Sequence, residues 1–458
     1  MPDLIDIPAL GPSGESRAVH RLSVTDVSGA DLAEVSLVPP VFVHRAMAAL
    51  HRAETLPAAD RSALLTKAAE LFAHATIGDL SPTDYHHAVS RAGGVPISSV
   101  REANASVAQR VADAFDSAHQ ARPRGASTHW RDPAARAGHA VWVRRGSVFA
   151  VHAAGNHPGT HAIWPEALAL GYRVAVRPSS RDPFTPYRLI SALRDAGFPP
   201  DHVVLLPTDH DGADAVLRGA DLGMVYGGAD VVAKYQGSQV LPQGPGRSKI
   251  LITADTDWRQ HLDVIVDSIA DHGGTGCVNA STVFIEGAPG PLAESIAERL
   301  AAMPSLPPEH SEARLPVQPV SAARAIERYL LKTAAGARAW LGGDGVVDEL
   351  DDGSAALRPA VYELKDPTSP QIGVELPFPC VWVAPWTRDA GVAPLRDTLV
   401  LTVLTQDGEL VDRLVDEPTI RNVYLGDRHT HWMASGVPHD GFLGDFLMSS
   451  KGIATSTV

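Results

Sequence analysis

Apolar residues change their rhythm several times along this chain, and each change marks an element. The first forty residues show no period, with Gly, Pro and Ser scattered through them, and read as an irregular lead-in. Over 41–76, Ala, Leu and His recur three and four residues apart, the spacing that shares a helix face. A break at 57–60, beginning at Pro57, divides this stretch into two amphipathic helices. Another helix is predicted over 100–118, and the Arg-, Pro- and Gly-rich 121–137 reads as a loop. Alternation then takes over, with Val141, Val143, Val148 and Ala150 set among arginines and Gly146, as expected of a strand or long hairpin.

A regular strand-then-helix rhythm follows. Strands are predicted over 147–153, 173–177, 203–206 and 222–226, each followed by a helix, at 161–170, 186–196, 213–219 and 229–236. Short apolar strands alternating with short helices indicate a parallel sheet covered on both faces. A second α/β segment starts near Ile250, with helices over 258–271 and 291–303 and a strand over 282–286. The acidic, glycine-rich 342–352 reads as a surface turn.

Composition narrows the functional classes. With 39 basic and 53 acidic side chains the formal charge is −14, which argues against a nucleic-acid or anionic-membrane surface. Small molecules and other copies of the chain are the expected partners. Two cysteines, Cys277 and Cys380, exclude a disulfide scaffold, and the acidic, proline-bearing N-terminus does not resemble a signal peptide. No apolar run is long enough to span a bilayer, so a cytoplasmic location is expected.

Four stations carry candidate chemistry. Gly155-Asn156-His157-Pro158-Gly159 follows a buried strand, at the strand end where open α/β sheets bind ligands. An Asn amide there can donate to a developing oxyanion, although Gly, Asn and Pro also make ordinary turns. Arg177-Pro178-Ser179-Ser180-Arg181 offers guanidiniums and hydroxyls to a phosphate or ribose, or forms a solvated loop. Tyr226-Gly227-Gly228-Ala229 opens a helix, where paired glycines admit a pyrophosphate. The fourth is His272-Gly273-Gly274-Thr275-Gly276-Cys277-Val278-Asn279. Lone cysteines are mostly inert core residues, but these flanking glycines expose the sulfur and leave room for a substrate. Histidines 152, 157 and 161 share no metal-ligand spacing, so no metal site is expected. Cys380, Trp382 and Trp386 read as packing.

In their order these stations resemble the aldehyde dehydrogenase superfamily. The matching segments are Asn156-His157-Pro158, Arg177-Pro178-Ser179-Ser180, Gly227-Gly228, Gln243-Gly244-Pro245-Gly246-Arg247-Ser248, Gly274-Thr275-Gly276-Cys277 and Glu375-Leu376-Pro377-Phe378-Pro379. Ala196-Gly197-Phe198-Pro199-Pro200 adds a further family-like loop, and the resemblance runs from about Val41 to the C-terminus. It implies an α/β fold with a parallel-sheet cofactor domain, a second α/β catalytic domain and a small β oligomerisation arm. Residues 1–246 would form the cofactor domain, interrupted near 138–147 by arm strands. Residues 247–425 would form the catalytic domain, and 426–458 would return to the first and end in an arm strand. A homodimer or homotetramer would result.

The resemblance also assigns roles. Cys277 would be the nucleophile and Asn156 the oxyanion donor. Arg177, Ser179, Ser180, Arg181, Gly227, Gly228, Glu375 and Phe378 would bind NADP or NAD, with Glu375 on the nicotinamide ribose. Departures from the family pattern refine this. Gln243 stands where hydrolytic members carry a water-activating Glu, and an amide accepts no proton at neutral pH. The stretch Gly244-Pro245-Gly246-Arg247-Ser248 looks like that of fatty acyl-CoA reductases in bacterial luminescence. Interconversion of an aldehyde and an acyl thioester, on coenzyme A or a carrier protein, is therefore preferred over hydrolysis to an acid. His272 and Glu286 remain alternative bases, and a non-catalytic scaffold is a third reading. Ser180 replaces a ribose-binding Glu, which favours NADP. Gly228, Ala229 and Val232 replace family Ser, Thr and Gly, which would weaken the cofactor site.

Overall fold

The computed structural model describes residues 4–133 and 139–454. The end of the predicted 121–137 loop and the first residue of the predicted arm interruption fall outside them.

Two seven-stranded sheets organise the chain. In the first, Val240–Gln243, Leu222–Tyr226, Val148–His152, Arg173–Arg177 and Val203–Leu205 lie side by side and parallel. Ala9–Gly11 and Gly14–Ser16 extend it as antiparallel edge strands. Interior strands are apolar on both sides because both faces are covered. Phe149, Val151, Val174, Val176, Val203 and Leu205 join one core cluster, while Val148, Ala150, Ala175 and Val204 join another. That alternation is the two-residue period of a pleated strand. Each fully buried Val or Leu in such a layer contributes roughly 1.5–3 kcal/mol.

The second sheet orders Arg338–Leu341, Ala360–Glu363, Cys380–Trp386, Ala280–Glu286, Ser248–Ile252, Thr398–Leu404 and Ile420–Leu425. All are parallel except the first, and Leu251, Phe284 and Trp382 face one core while Ile250, Val283 and Val381 face the other. Cys380, Trp382 and Trp386 are core residues, as predicted. A separate antiparallel ribbon pairs His139–Arg144 with Met448–Ile453.

The helices sit close to their predicted places. Pro40–Arg52 and Ala58–His74 are two helices as predicted, although the break between them ends at Pro57 and 58–60 are already helical, and Phe184–Ala196 ends at the predicted residue. Predicted helix 100–118 divides at Asp113 into Ile97–Ala112 and Ala114–His119. Helix Pro82–Gly93, begun by a Ser81 cap whose hydroxyl accepts from the Asp84 amide, was not foreseen. Two expectations fail. The first forty residues are not irregular, for Ile5–Ile7, Arg21–Thr25 and Asp31–Ser36 form a three-stranded sheet beside the two edge strands. The 342–352 turn contains the strand Val347–Glu349, paired with Ser354–Leu357. Ile5–Ile7, Ala9–Gly11, Gly14–Ser16 and Val347–Glu349 have three residues each, too few to show a period. No helix among the described residues is long and apolar enough to cross a membrane.

Candidate active site

The turn that carries Cys277 links helix Leu262–Ala270 to strand Ala280–Glu286 of the second sheet. His272, Gly273 and Gly274 all have positive φ, so the chain reverses abruptly after Asp271. At Gly274 a side chain is also sterically impossible, since a Cβ would lie 2.6 Å from the Pro379 nitrogen. Asn279 ties the turn together. Its side-chain oxygen accepts from the Gly276 amide at 2.9 Å, and its amide donates to the Asp271 carbonyl at 2.9 Å. Ser248 donates to the Cys277 carbonyl at 2.9 Å, and a Cβ on Gly246 would meet that same oxygen at 1.8 Å. Cys277 is thus fixed through its backbone by the Ser248 and Asn279 side chains and by the close approach of Gly246, whatever its own side chain does.

Cys277 is half-buried and lines a cavity of about 770 Å³ together with Asn156 and Gln243. Asn156 Nδ2 donates to the Thr275 carbonyl at 3.1 Å, leaving its second amide proton free to point at a ligand. Gln243 ends an edge strand of the first sheet, and its carbonyl accepts from the Gly227 amide at 3.0 Å. Burial pushes the Cys277 thiol up to about 12, and the negative charge of Glu375 adds to this. Backbone N–H groups of Cys277 and Val278 oppose the shift in part.

Glu375 is held by a hydrogen bond from the Arg247 backbone N–H, at a residue whose φ of 49° is left-handed. Burial pushes its carboxyl up to about 7, against the pull of Arg247 and Lys249. Lys249 is itself buried, donating to the Arg247 and Arg396 carbonyls and to Thr398 Oγ1, and burial brings its ammonium down to about 8. Phe378 lies in a core cluster beside the second sheet with 1% exposure, and its backbone backs Gly274.

The remaining predicted residues cluster away from the cavity wall, at the carboxyl ends of the first sheet's strands. Arg177 Nη2 donates to the Thr208 carbonyl at 3.4 Å, and its Nε is buried without a partner. Ser179 Oγ accepts from the Arg181 amide at 3.2 Å, and a Cβ on Gly155 would meet that hydroxyl at 2.2 Å. Ser180 and Arg181 are exposed. Gly227 and Gly228 lead into helix Ala229–Tyr235, and their neighbours Tyr226 and Ala229 reach the cavity. Of the two alternative bases, His272 lines the cavity, whereas Glu286 accepts from the Ala254 amide and pairs with Arg388. Among the described residues no group of His, Cys, Asp and Glu has the geometry of a metal site.

The structure adds residues that the sequence did not single out. Asp440 lines the cavity, pairs with Arg421 at 3.3 Å, and has its carboxyl raised by burial. Its charge also reaches Cys277. Tyr226 donates to the Thr160 carbonyl at 3.1 Å, and Arg110 and His439 close one end of the cavity. Only the Pro438-His439-Asp440-Gly441 run, a turn-like segment with two ionisable groups, offered any sequence signal for these.

Two sheets of parallel strands meeting over a cysteine in a glycine turn define a class, and the comparisons agree with it. The sequence profile of the aldehyde dehydrogenase family matches residues 23–442, and the chain belongs to that family. Curated relatives match over shorter stretches. Human aldehyde dehydrogenase 1A1 is 28% identical over 143 residues, covering 29% of this chain and 28% of that protein. Malonate-semialdehyde dehydrogenase 1 of Geobacillus thermodenitrificans is 26% identical over 157 residues, 32% of each chain. The matched stretch therefore spans well under two thirds of these relatives' length. Solved structures match throughout. An NAD-dependent aldehyde dehydrogenase from Sinorhizobium meliloti superposes with a TM-score of 0.81 at 19% identity, covering 98% of this chain and 94% of that one. An indole-3-acetaldehyde dehydrogenase in complex with NAD+ gives 0.82 at 18% identity, covering 98% and 96%.

Proposed function

We propose that this chain is a nicotinamide-dependent oxidoreductase that interconverts an aldehyde and an acyl thioester through an acyl group carried on Cys277. The observation that carries this reading is the meeting of Cys277, Asn156 and Gln243 on one cavity wall. The Cys277 sulfur adds to a carbonyl carbon, and the new oxyanion takes hydrogen bonds from the free proton of Asn156 Nδ2 and the Cys277 N–H. With its thiol pushed up to about 12, Cys277 must surrender a proton to solvent as it attacks, and the charge of Glu375, whose carboxyl stands near 7, opposes that loss.

The strand-end residues fit a nicotinamide dinucleotide. The buried, unpartnered Arg177 Nε is a donor awaiting an acceptor, and Gly155 lets the Ser179 hydroxyl approach the loop closely. Arg177, Ser179, Ser180 and Arg181 would hold the ribose and phosphates, with Gly227 and Gly228 admitting the pyrophosphate. Such a cofactor, when bound, supplies or accepts the hydride. The structural relatives, an NAD-dependent enzyme and one in complex with NAD+, favour NAD, while Ser180 beside Arg181 removes the carboxylate that would repel a 2′-phosphate, so NADP is also accommodated.

The acyl acceptor is a thiol, of coenzyme A or a carrier protein, because the Gln243 amide cannot take a proton from water. Hydrolysis to a carboxylic acid is the second reading, and Asp440 favours it: a carboxylate in the same cavity could activate water. Pre-steady-state turnover of an aldehyde separates the two. Thioester chemistry gives a burst of reduced nicotinamide, then a slow phase that coenzyme A accelerates. Rapid release of free acid without any thiol, abolished in Asp440→Asn, would establish hydrolysis. The exposed Met448–Ile453 strand of the antiparallel ribbon suits pairing with a neighbouring copy, in a homodimer or homotetramer.

A further inference from the structure

Helix Ile97–Ala112 presents Glu102, Ser106 and Arg110 along the cavity, four residues apart and hence on one face. The stripe covers about 12 Å at 1.5 Å per residue. At its first end, Glu102 is matched by His272 Nε2 at 3.3 Å. At the other end, Arg110 is half-buried and makes no hydrogen bond or ion pair with any described residue. Every other charge around it is committed or muted. Asp440 is paired with Arg421, and burial together with Arg110 itself keeps His439 neutral, down to about 4. Glu166 feels Arg110, but lies beyond ion-pair distance and is pushed by burial up to about 7. A guanidinium presents five donors in a planar fork that matches a carboxylate, and one left unpaired in a partly desolvated wall is a costly arrangement without a ligand.

We propose that Arg110 binds a carboxylate on the far end of the substrate, so that the chain acts on an aldehyde or acyl group with an anionic tail. This rests on the reading that the same cavity delivers a carbonyl to Cys277. Asp440 and Glu102, each already paired, set the tail's path by repelling it from their side towards Arg110; Arg247, the other lining arginine without an ion pair, has its charge directed at Glu375.

The test compares kcat/KM for two aldehydes of equal length, succinic semialdehyde and butanal, in the full chain and in Arg110→Met and Arg110→Lys. A phosphate-bearing aldehyde, glyceraldehyde 3-phosphate, forms a third arm. The expected result is a preference for the carboxylated aldehyde of about tenfold or more. That ratio collapses in Arg110→Met, mainly through KM, and is partly kept in Arg110→Lys. An equal fall for both aldehydes, no initial preference, or a stronger preference for the phosphate would overturn the proposal. A second readout works without turnover: adipate should protect Cys277 from iodoacetamide in the unmodified chain and not in Arg110→Met. Protection of this kind in a chain that turns over no aldehyde would refute the proposed reaction and uphold the anion site. Turnover of aldehydes without protection would do the reverse.

Discussion

The two halves of the site are built in opposite ways. Around Cys277, side chains satisfy the backbone: Asn279 bridges the turn, Ser248 anchors the Cys277 carbonyl, and Gly246 and Gly274 permit contacts that any side chain would forbid. Around Arg177–Arg181 the reverse holds. Ser180 and Arg181 are exposed, the bonds are few, and the Arg177 Nε has no partner. A nucleophile must be placed by the fold before a substrate arrives, which requires an over-determined turn. A cofactor brings its own acceptors, so the residues that greet it are left incomplete.

Substitutions should separate these two designs. The largest effect is expected from Gly246→Ala, whose Cβ would lie 1.8 Å from the Cys277 carbonyl oxygen. A loss of about 3 kcal/mol or more is expected, along with misplacement of the sulfur. Thermal denaturation and the rate of Cys277 alkylation would both register it. Next is Asn156→Ala, which should lower kcat by roughly 10²–10³ with little change in melting temperature, since it removes an oxyanion donor on the surface of the turn.

A smaller effect concerns Glu375. Its carboxyl is neutral below about pH 7 and charged above, and only the charged form disfavours the Cys277 thiolate. Glu375→Gln should therefore speed iodoacetamide labelling of Cys277 by about tenfold above pH 8 and scarcely at all below pH 6. A ratio that stays flat with pH would show that Glu375 does not govern the thiol. The mildest change belongs to the unfinished half. Ser180→Glu should shift the NADP-to-NAD preference by about tenfold towards NAD, read from the two cofactor KM values, without moving thermal stability.

Legibility in the sequence follows the same division. The first parallel sheet could be read because strands buried on two faces are continuous apolar runs, and 173–177 and 222–226 match the observed strands at both ends, whereas the second yielded only an α/β segment with a strand over 282–286. Cys277 and Asn156 stood out because each lies in a local run of turn residues at a strand or helix end, while Gln243 was reached only through the family resemblance. The N-terminal strands could not, since Ala9–Gly11 gains its meaning only from Leu10 pairing with Leu205. Arg110 was invisible for the same reason, and Asp440 was marked only by its turn-like run, since only folding brings helix Ile97–Ala112 and the segment near Asp440 to one cavity. Glu375 shows a third case: its motif was legible, but not its bond to the Arg247 backbone or its hold on the sulfur.

The central claim is that Cys277 carries the acyl group, and mass spectrometry of the trapped protein tests it most directly. Incubation with an acyl-coenzyme A, in the absence of any reductant, should add the mass of one acyl group per chain, mapped to the peptide containing Cys277 and missing in Cys277→Ala. An adduct that persists in Cys277→Ala, or acyl transfer to Cys380 instead, would contradict the account.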